Sequence, residues 1–188
     1  MIPALLPNGH LPPGRHPASL QEIEDRFVSD EGFSSSASRS EIWEGFLSYL
    51  SAWDAAERAL GATVLRAIWL AGSFISSKHD PSDIDVSPIY DKTVLAAHSG
   101  RPGVGGVKRL FEQRSRVVDE FRVEPFALPW LSIASTLLPA QLPAAERDAL
   151  SVRGGVDSWW GRTRPAGARV APVPPTTLAD RGFLEVLL

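Results

Sequence analysis

The side chains in this chain that could do chemistry concentrate in one stretch. Asp83-Ile84-Asp85-Val86 sets two carboxylates at i and i+2, and Leu70-Ala71-Gly72-Ser73 lies upstream with nine residues between Ser73 and Asp83. Read as a strand, Asp-x-Asp points both carboxylates to one face while Ile84 and Val86 point to the core. Like charges placed so close repel unless a cation lies between them. A pair of hard oxygen donors with open positions suits Mg²⁺ (or Mn²⁺) shared with a polyphosphate. Gly72-Ser73, at the end of an apolar run, supplies a close backbone approach, N–H groups and one hydroxyl, the groups that hold phosphate oxygens. Each half alone reads as ordinary structure, a solvated edge strand and a plain turn. Their order and spacing favour a site.

Other polar residues carry weaker signals. Lys78 lies between cradle and acids, and is either a compact cation for triphosphate charge or a solvent lysine. His79 follows it, and Ser76 and Ser77 read best as caps of a short helix. Trp159 and Trp160 could stack a ring, but adjacent tryptophans more often anchor a loop. Arg162, Arg164 and Arg181 could reach phosphate or an acceptor, but read more readily as surface residues. His10 and His16 sit in a Pro-rich arm, and no His pair has zinc spacing.

These residues need elements to position them. Residues 1–18 hold Pro3, Pro7, Pro12, Pro13 and Pro17 and read as an extended arm before a single domain, 19–188. Ser19…Glu22 is a capping box for a short helix to about Phe27. Ser38…Glu41 is a second, opening a helix with Ile42, Phe46, Leu50 and Trp53 on one face and Gly61 at its end. The core motif spans 64–128. Val64–Ala71 reads as a buried strand, and Asp83–Tyr90 as a second. Gly100–Gly106 reads as a flexible loop, 107–118 as a helix and Phe121–Leu128 as a third strand. Ala144–Leu150 reads as a helix. A C-terminal segment, 151–188, reads as irregular until a terminal strand at Gly182–Leu188, with Pro172–Pro175 as a local loop. The expected fold class is α/β (α+β), a small mixed sheet flanked by helices.

Composition bounds the rest. The 188 residues are 44% hydrophobic and 22% charged, enough to bury one core. The absence of cysteine excludes disulfides, thiolate metal sites and cysteine nucleophiles. A net charge of −3 draws in neither nucleic acid nor anionic membrane, although 101–116 is locally basic. No apolar run is long enough for a membrane span, and the Pro-interrupted start is a poor signal peptide. The expectation is a cytoplasmic protein.

The Gly72-Ser73 and Asp83-Ile84-Asp85-Val86 pattern resembles the signature of the nucleotidyltransferase superfamily of the DNA polymerase β type. That resemblance implies a nucleotidyltransferase fold, NTP as substrate (ATP among the candidates), two Mg²⁺ ions, and transfer of a nucleoside monophosphate to an acceptor. Carried over by position, Gly72 and Ser73, with Lys78, would bind nucleotide, and Asp83 and Asp85 would bind metal. A third acid on a later strand would be Glu124, with Asp119 and Glu120 as rivals ahead of that strand. A narrower resemblance covers nearly the whole chain. Met1-Ile2-Pro3, Gly72-Ser73-Phe74…Lys78…Pro81-Ser82-Asp83-Ile84-Asp85-Val86 and Trp160-Gly161…Arg181-Gly182-Phe183 look like an uncharacterised bacterial family of small stand-alone nucleotidyltransferase-like proteins. The expected acceptor is compact, a small molecule or a hydroxyl on a protein or tRNA end, with no long nucleic-acid track. The alternatives are a regulatory nucleotidyltransferase of toxin–antitoxin type and a silent nucleotide-binding module.

Overall fold

Two strongly apolar segments set the centre of the molecule. Strand β2 (Leu65–Ala71) is buried along nearly its whole length, with Ile68, Trp69 and Leu70 fully excluded from solvent, and it pairs antiparallel with β3 (Ile84–Asp91). The computed structural model describes residues 1–133, 139–164 and 179–188. On the far side of β2 lies the terminal strand β6 (Gly182–Leu187), antiparallel to it, and outside β6 lies β1 (Gly14–Pro17), parallel to β6. Beyond β3 come β4 (Val123–Pro125) and β5 (Leu128–Trp130), both parallel to β3. The described order is β1-β6-β2-β3-β4, with β5 also on β3. The fold is a mixed sheet with helices, as its composition and patterning imply.

Helices cover the sheet where their apolar faces demand it. Helix α1 (Leu20–Phe27) forms with the expected capping box, Ser19 accepting from the Glu22 N–H and Glu22 from the Ser19 N–H. Helix α2 (Arg39–Leu60) buries Ile42, Phe46 and Trp53 and adds Trp43 and Tyr49, while Leu50 stays partly covered. It ends at Gly61 with φ +74°, the left-handed cap that glycine adopts without strain. The second capping box does not form. The Ser38 hydroxyl instead donates to the Pro81 carbonyl, and Glu41 pairs with Arg122. Ser36 takes over, its hydroxyl accepting from the Arg39 N–H.

Several boundaries differ from those read off the sequence. The arm is not separate from the sheet, since Gly14–Pro17 pairs with β6 and Leu11 is buried. No helix lies between Gly72 and Asp83, only a turn in which the Ser76 N–H and hydroxyl both donate to the Ser73 carbonyl. After a short helix α3 (Lys92–Ala97), the helix expected at 107–118 is two, α4 (Val104–Glu112) and α5 (Arg114–Phe121). They break at Gln113, and the Leu110 carbonyl accepts from the buried Tyr49 hydroxyl at 2.9 Å. The third strand is likewise two, separated at Phe126–Ala127. Helix α6 (Ala144–Trp160) runs ten residues past the expected end, through Gly154-Gly155. The Pro172–Pro175 stretch lies outside the described residues. No described helix is long and apolar enough to cross a membrane.

Candidate functional site

One end of the sheet gathers the acids. Register sets Asp85 level with Ala71 on one side and with Glu124 on the other, so the Asp85 and Glu124 side chains share a face. Asp83 sits just before β3 rather than in it, while Ile84 and Val86 are fully buried, as the alternation demands. Gly72 takes φ +75°, and a Cβ there would overlap Asp85 Oδ2. Only glycine lets the Asp85 carboxylate lie against the backbone at the end of β2. Neither the Ser73 N–H nor its hydroxyl has a partner among the described residues.

The electrostatics follow from that crowding. Burial, together with the charges of Asp83 and Glu124 and a bond to Glu124, pushes the Asp85 carboxyl up to about 7, against the pull of Arg181. Burial and the Glu124 charge also raise Asp83, opposed by a Ser82 hydrogen bond and the charges of Lys78 and Arg114. A bond between two carboxyls needs a proton between them, so Asp85 and Glu124 stand where a cation would relieve both. Glu124 has a second partner: Arg114 Nη2 donates to it, and the guanidinium lies 4.2 Å from the centre of the Phe126 ring.

A cleft of about 760 Å³ opens over this end of the sheet. It is lined by Gly72, Ser73, Lys78, Asp83, Asp85 and Glu124, the residues singled out from the sequence. Asp119 is exposed on α5 and does not reach the cleft, so Glu124 is the acid that shares a face with Asp85. His79 lies outside. Its Nδ1 is 2.9 Å from Asp80 and its Nε2 3.1 Å from the Ser35 hydroxyl, so it ties two loops together. Trp160 is buried and donates from Nε1 to the Ser87 hydroxyl at 2.9 Å, whereas Trp159 is 36% exposed on the cleft wall. Arg181 is not a surface residue. It lines the cleft, partly buried, with Nε donating to the Trp160 carbonyl at 2.9 Å.

Three contributions escaped the sequence reading. Asn8, Gly9 and His10 of the arm line the cleft, and the Gly9 carbonyl accepts from the Ser77 N–H at 2.8 Å. Arg114 reaches in from α5, a single member of the basic stretch whose neighbours Lys108 and Arg116 pair within their helices. Arg39, 1% exposed, donates to the carbonyls of Phe27, Phe74, Ser76, Lys78 and His79 at 2.5–3.1 Å and so fixes the loop that carries Ser76 and Lys78. The arm could be read as Pro-rich, but nothing local in Asn8-Gly9-His10 or Arg39 announces a partner distant in sequence.

Among the described residues, no three His, Cys, Asp or Glu side chains form a group that by itself could hold a metal ion. Asp83 and Asp85 offer two carboxylates, while Glu124 Oε1 accepts from Arg114 and its second oxygen remains beside Asp85 as a further donor. Two carboxylates with phosphate oxygens completing the shell is a donor set that Mg²⁺ accepts.

A family model described as a family of unknown function, DUF6932, matches residues 3–186. The chain belongs to that family. The matched span includes every cleft residue named above. No curated protein and no solved structure matches the chain.

Proposed function

We propose that this chain is a Mg²⁺-dependent nucleotidyltransferase that moves a nucleoside monophosphate from an NTP to a compact acceptor. The observation that carries this reading is the meeting of Gly72 with Asp83, Asp85 and Glu124 at one sheet end facing an open polar cleft, with Asp83 and Asp85 raised by burial and by neighbouring carboxylates. Asp83 and Asp85 would hold Mg²⁺, which when bound neutralises phosphate charge and lowers the barrier to in-line displacement. The Ser73 N–H and hydroxyl bind phosphate oxygens, and Lys78 adds a positive charge at the cleft wall. An acceptor hydroxyl oxygen bonds to the α-phosphorus. The bond from that phosphorus to its bridging oxygen breaks, and pyrophosphate leaves with the electron pair. The acceptor proton passes to the Glu124 carboxylate. Positioning and charge complementarity supply the acceleration, with no covalent enzyme intermediate.

The acceptor is a small molecule or a single hydroxyl on a protein or tRNA end. A net charge of −3 gives the whole chain no general attraction for a long nucleic acid. Regulatory modification of toxin–antitoxin type is one form of this chemistry. A second reading, a nucleotide-binding module without transfer, draws on the Arg114–Glu124 ion pair, which lowers the basicity of the group that would take the acceptor proton. The deciding experiment incubates the protein with Mg²⁺ and each NTP labelled at the α-phosphate, alone and with cell extract. A single labelled adduct is the expected product. Binding without any adduct supports the module, and successive additions to an oligonucleotide primer contradict the compact acceptor.

A further inference from the structure

Among the described residues, two arginines at the Gly72 end of the cleft form no direct ion pair, although Asp85 and Asp180 act on the Arg181 charge at longer range. β6 runs antiparallel to β2 with Leu184 opposite Leu70, which brings Arg181, just before β6, to the end of β2 where Gly72 and Ser73 lie. Arg162 follows the C-terminal end of α6 and lines the same cleft. Its Nε and Nη2 both lie on the Ser158 hydroxyl at 3.2–3.3 Å, while Nη1 is buried with no partner. Arg181 spends one N–H on the Trp160 carbonyl. Among the described residues neither arginine has a carboxylate within 4.0 Å. Of the two carboxylates that act on Arg181 at longer range, Asp85 and Asp180, the latter accepts from the Thr163 N–H and hydroxyl at 2.7 and 2.6 Å. His10 lines the cleft beside them, and burial followed by the Arg181 charge lowers its pKa, which disfavours its positive form.

A guanidinium withdrawn from water with an N–H unpaired, as at Arg162, is costly, and an anion in the cleft would relieve it. Guanidinium forks match phosphate oxygens in pairs, as a lysine cannot. Along the sheet end the order is Arg181 just before β6, Gly72-Ser73 just after β2, Asp83 and Asp85 at the start of β3, then Glu124 on β4, paired with Arg114 of α5. A cation pair on the Gly-Ser side of the acids is separated from Glu124 and its acceptor side by the width of two strands.

We propose that Arg162 and Arg181 form a phosphate subsite at the Gly72 end of the cleft, which takes the terminal phosphates of the nucleotide. This rests on the nucleotidyltransferase reading for the identity of the ligand, but not for the anion site. The subsite makes the cleft select triphosphates over monophosphates. It also places the leaving pyrophosphate on the β6 side, away from Glu124.

The test is calorimetric titration of the full chain with inorganic tripolyphosphate, ATP and AMP, Mg²⁺ present, in wild type, Arg162→Gln, Arg181→Gln and Arg181→Lys, with melting curves to confirm folding. Tripolyphosphate affinity is expected to fall about tenfold or more in each Gln variant and to be partly restored in Arg181→Lys, since a charge-assisted contact is lost and then replaced by a point charge. ATP should fall by a similar factor and AMP should not change. If ATP is unaffected while tripolyphosphate weakens, the subsite serves an anionic acceptor and the assignment to the nucleotide is overturned. If the wild type fails to bind tripolyphosphate, or folded variants bind it as the wild type does, there is no subsite. Tripolyphosphate binding in a protein that binds no NTP would instead overturn the nucleotidyltransferase reading and leave the anion site standing.

Discussion

Two groups of charge lie a few residues apart in this molecule and are resolved in opposite ways. Arg39 is buried without a carboxylate, yet five backbone carbonyls accept from it, and the rings of Phe33 and Phe74 lie 3.8 and 5.2 Å from its guanidinium. Burial holds its pKa down at about 10, and it remains a satisfied cation. Asp83, Asp85 and Glu124 are less deeply placed, but their closest neighbours include one another. The first group is complete without a ligand and holds a loop in shape. The second is only partly relieved by Arg114, Lys78 and Arg181, and protons or a bound cation would relieve it further. A charge that the chain itself fully satisfies serves the fold. One left unsatisfied at an open cleft points to function.

The contrast is broken most directly at Arg39. Arg39→Met leaves five carbonyls without their donor and should cost about 3–5 kcal/mol, read by urea denaturation. A loss under about 1 kcal/mol would mean that the loop holds itself. Next in size is Gly72→Ala, where a positive φ and the overlap with Asp85 combine. Strain of roughly 1–3 kcal/mol is expected, together with loss of nucleotide binding because the carboxylate is displaced. Wild-type binding in that variant would remove Gly72 from the site.

Asp85→Asn has the opposite sign from Arg39→Met. Removing one of three crowded acids should leave the melting temperature unchanged or raise it by a few degrees, about 2–4 °C per kcal/mol for a chain of this size. It should also abolish Mg²⁺-dependent nucleotide binding. A lower melting temperature would make Asp85 a structural residue like Arg39. Glu124→Gln separates binding from chemistry: transfer should fall by orders of magnitude with NTP affinity little changed, and Asp119→Asn should do neither.

The pH dependence is the most diagnostic in sign. Asp85 has a folded pKa near 7 against an ordinary value of 3.8, so the folded state binds more protons than the unfolded one between those values. Its contribution to stability is therefore present below about pH 4 and is lost as pH rises through about 7. Melting temperature at low salt should fall across that window more in wild type than in Asp85→Asn, and Mg²⁺ should reduce the difference.

Local chemistry made much of this legible in advance. The alternation in Ile84-Asp85-Val86 fixed which side chains enter the core, and Leu65–Ala71 is too apolar to be anything but buried. What sequence did not reveal depends on distant partners. Gly154-Gly155 reads as a break, but α6 runs through it to Trp160, whose Nε1 reaches Ser87 in the sheet. Gln113 splits a helix although it carries no breaker residue. Arg181 reads as a surface cation because nothing near it in sequence shows that β6 lies between β1 and β2, which brings its first turn of chain to Gly72. Pairings across the sheet decide these positions, and no window of a dozen residues contains them.

The central claim is that the crowded carboxylates are completed by a metal-bound nucleotide. Calorimetric titration of ATP, CTP, GTP and UTP into the wild-type chain near pH 7.5, with Mg²⁺ and then with the metal chelated, tests it most directly. The expected result is saturable binding of at least one NTP that requires Mg²⁺ and disappears in Asp85→Asn. Absence of binding by all four at millimolar concentration with Mg²⁺ present, or binding equally strong in Asp85→Asn, would contradict it.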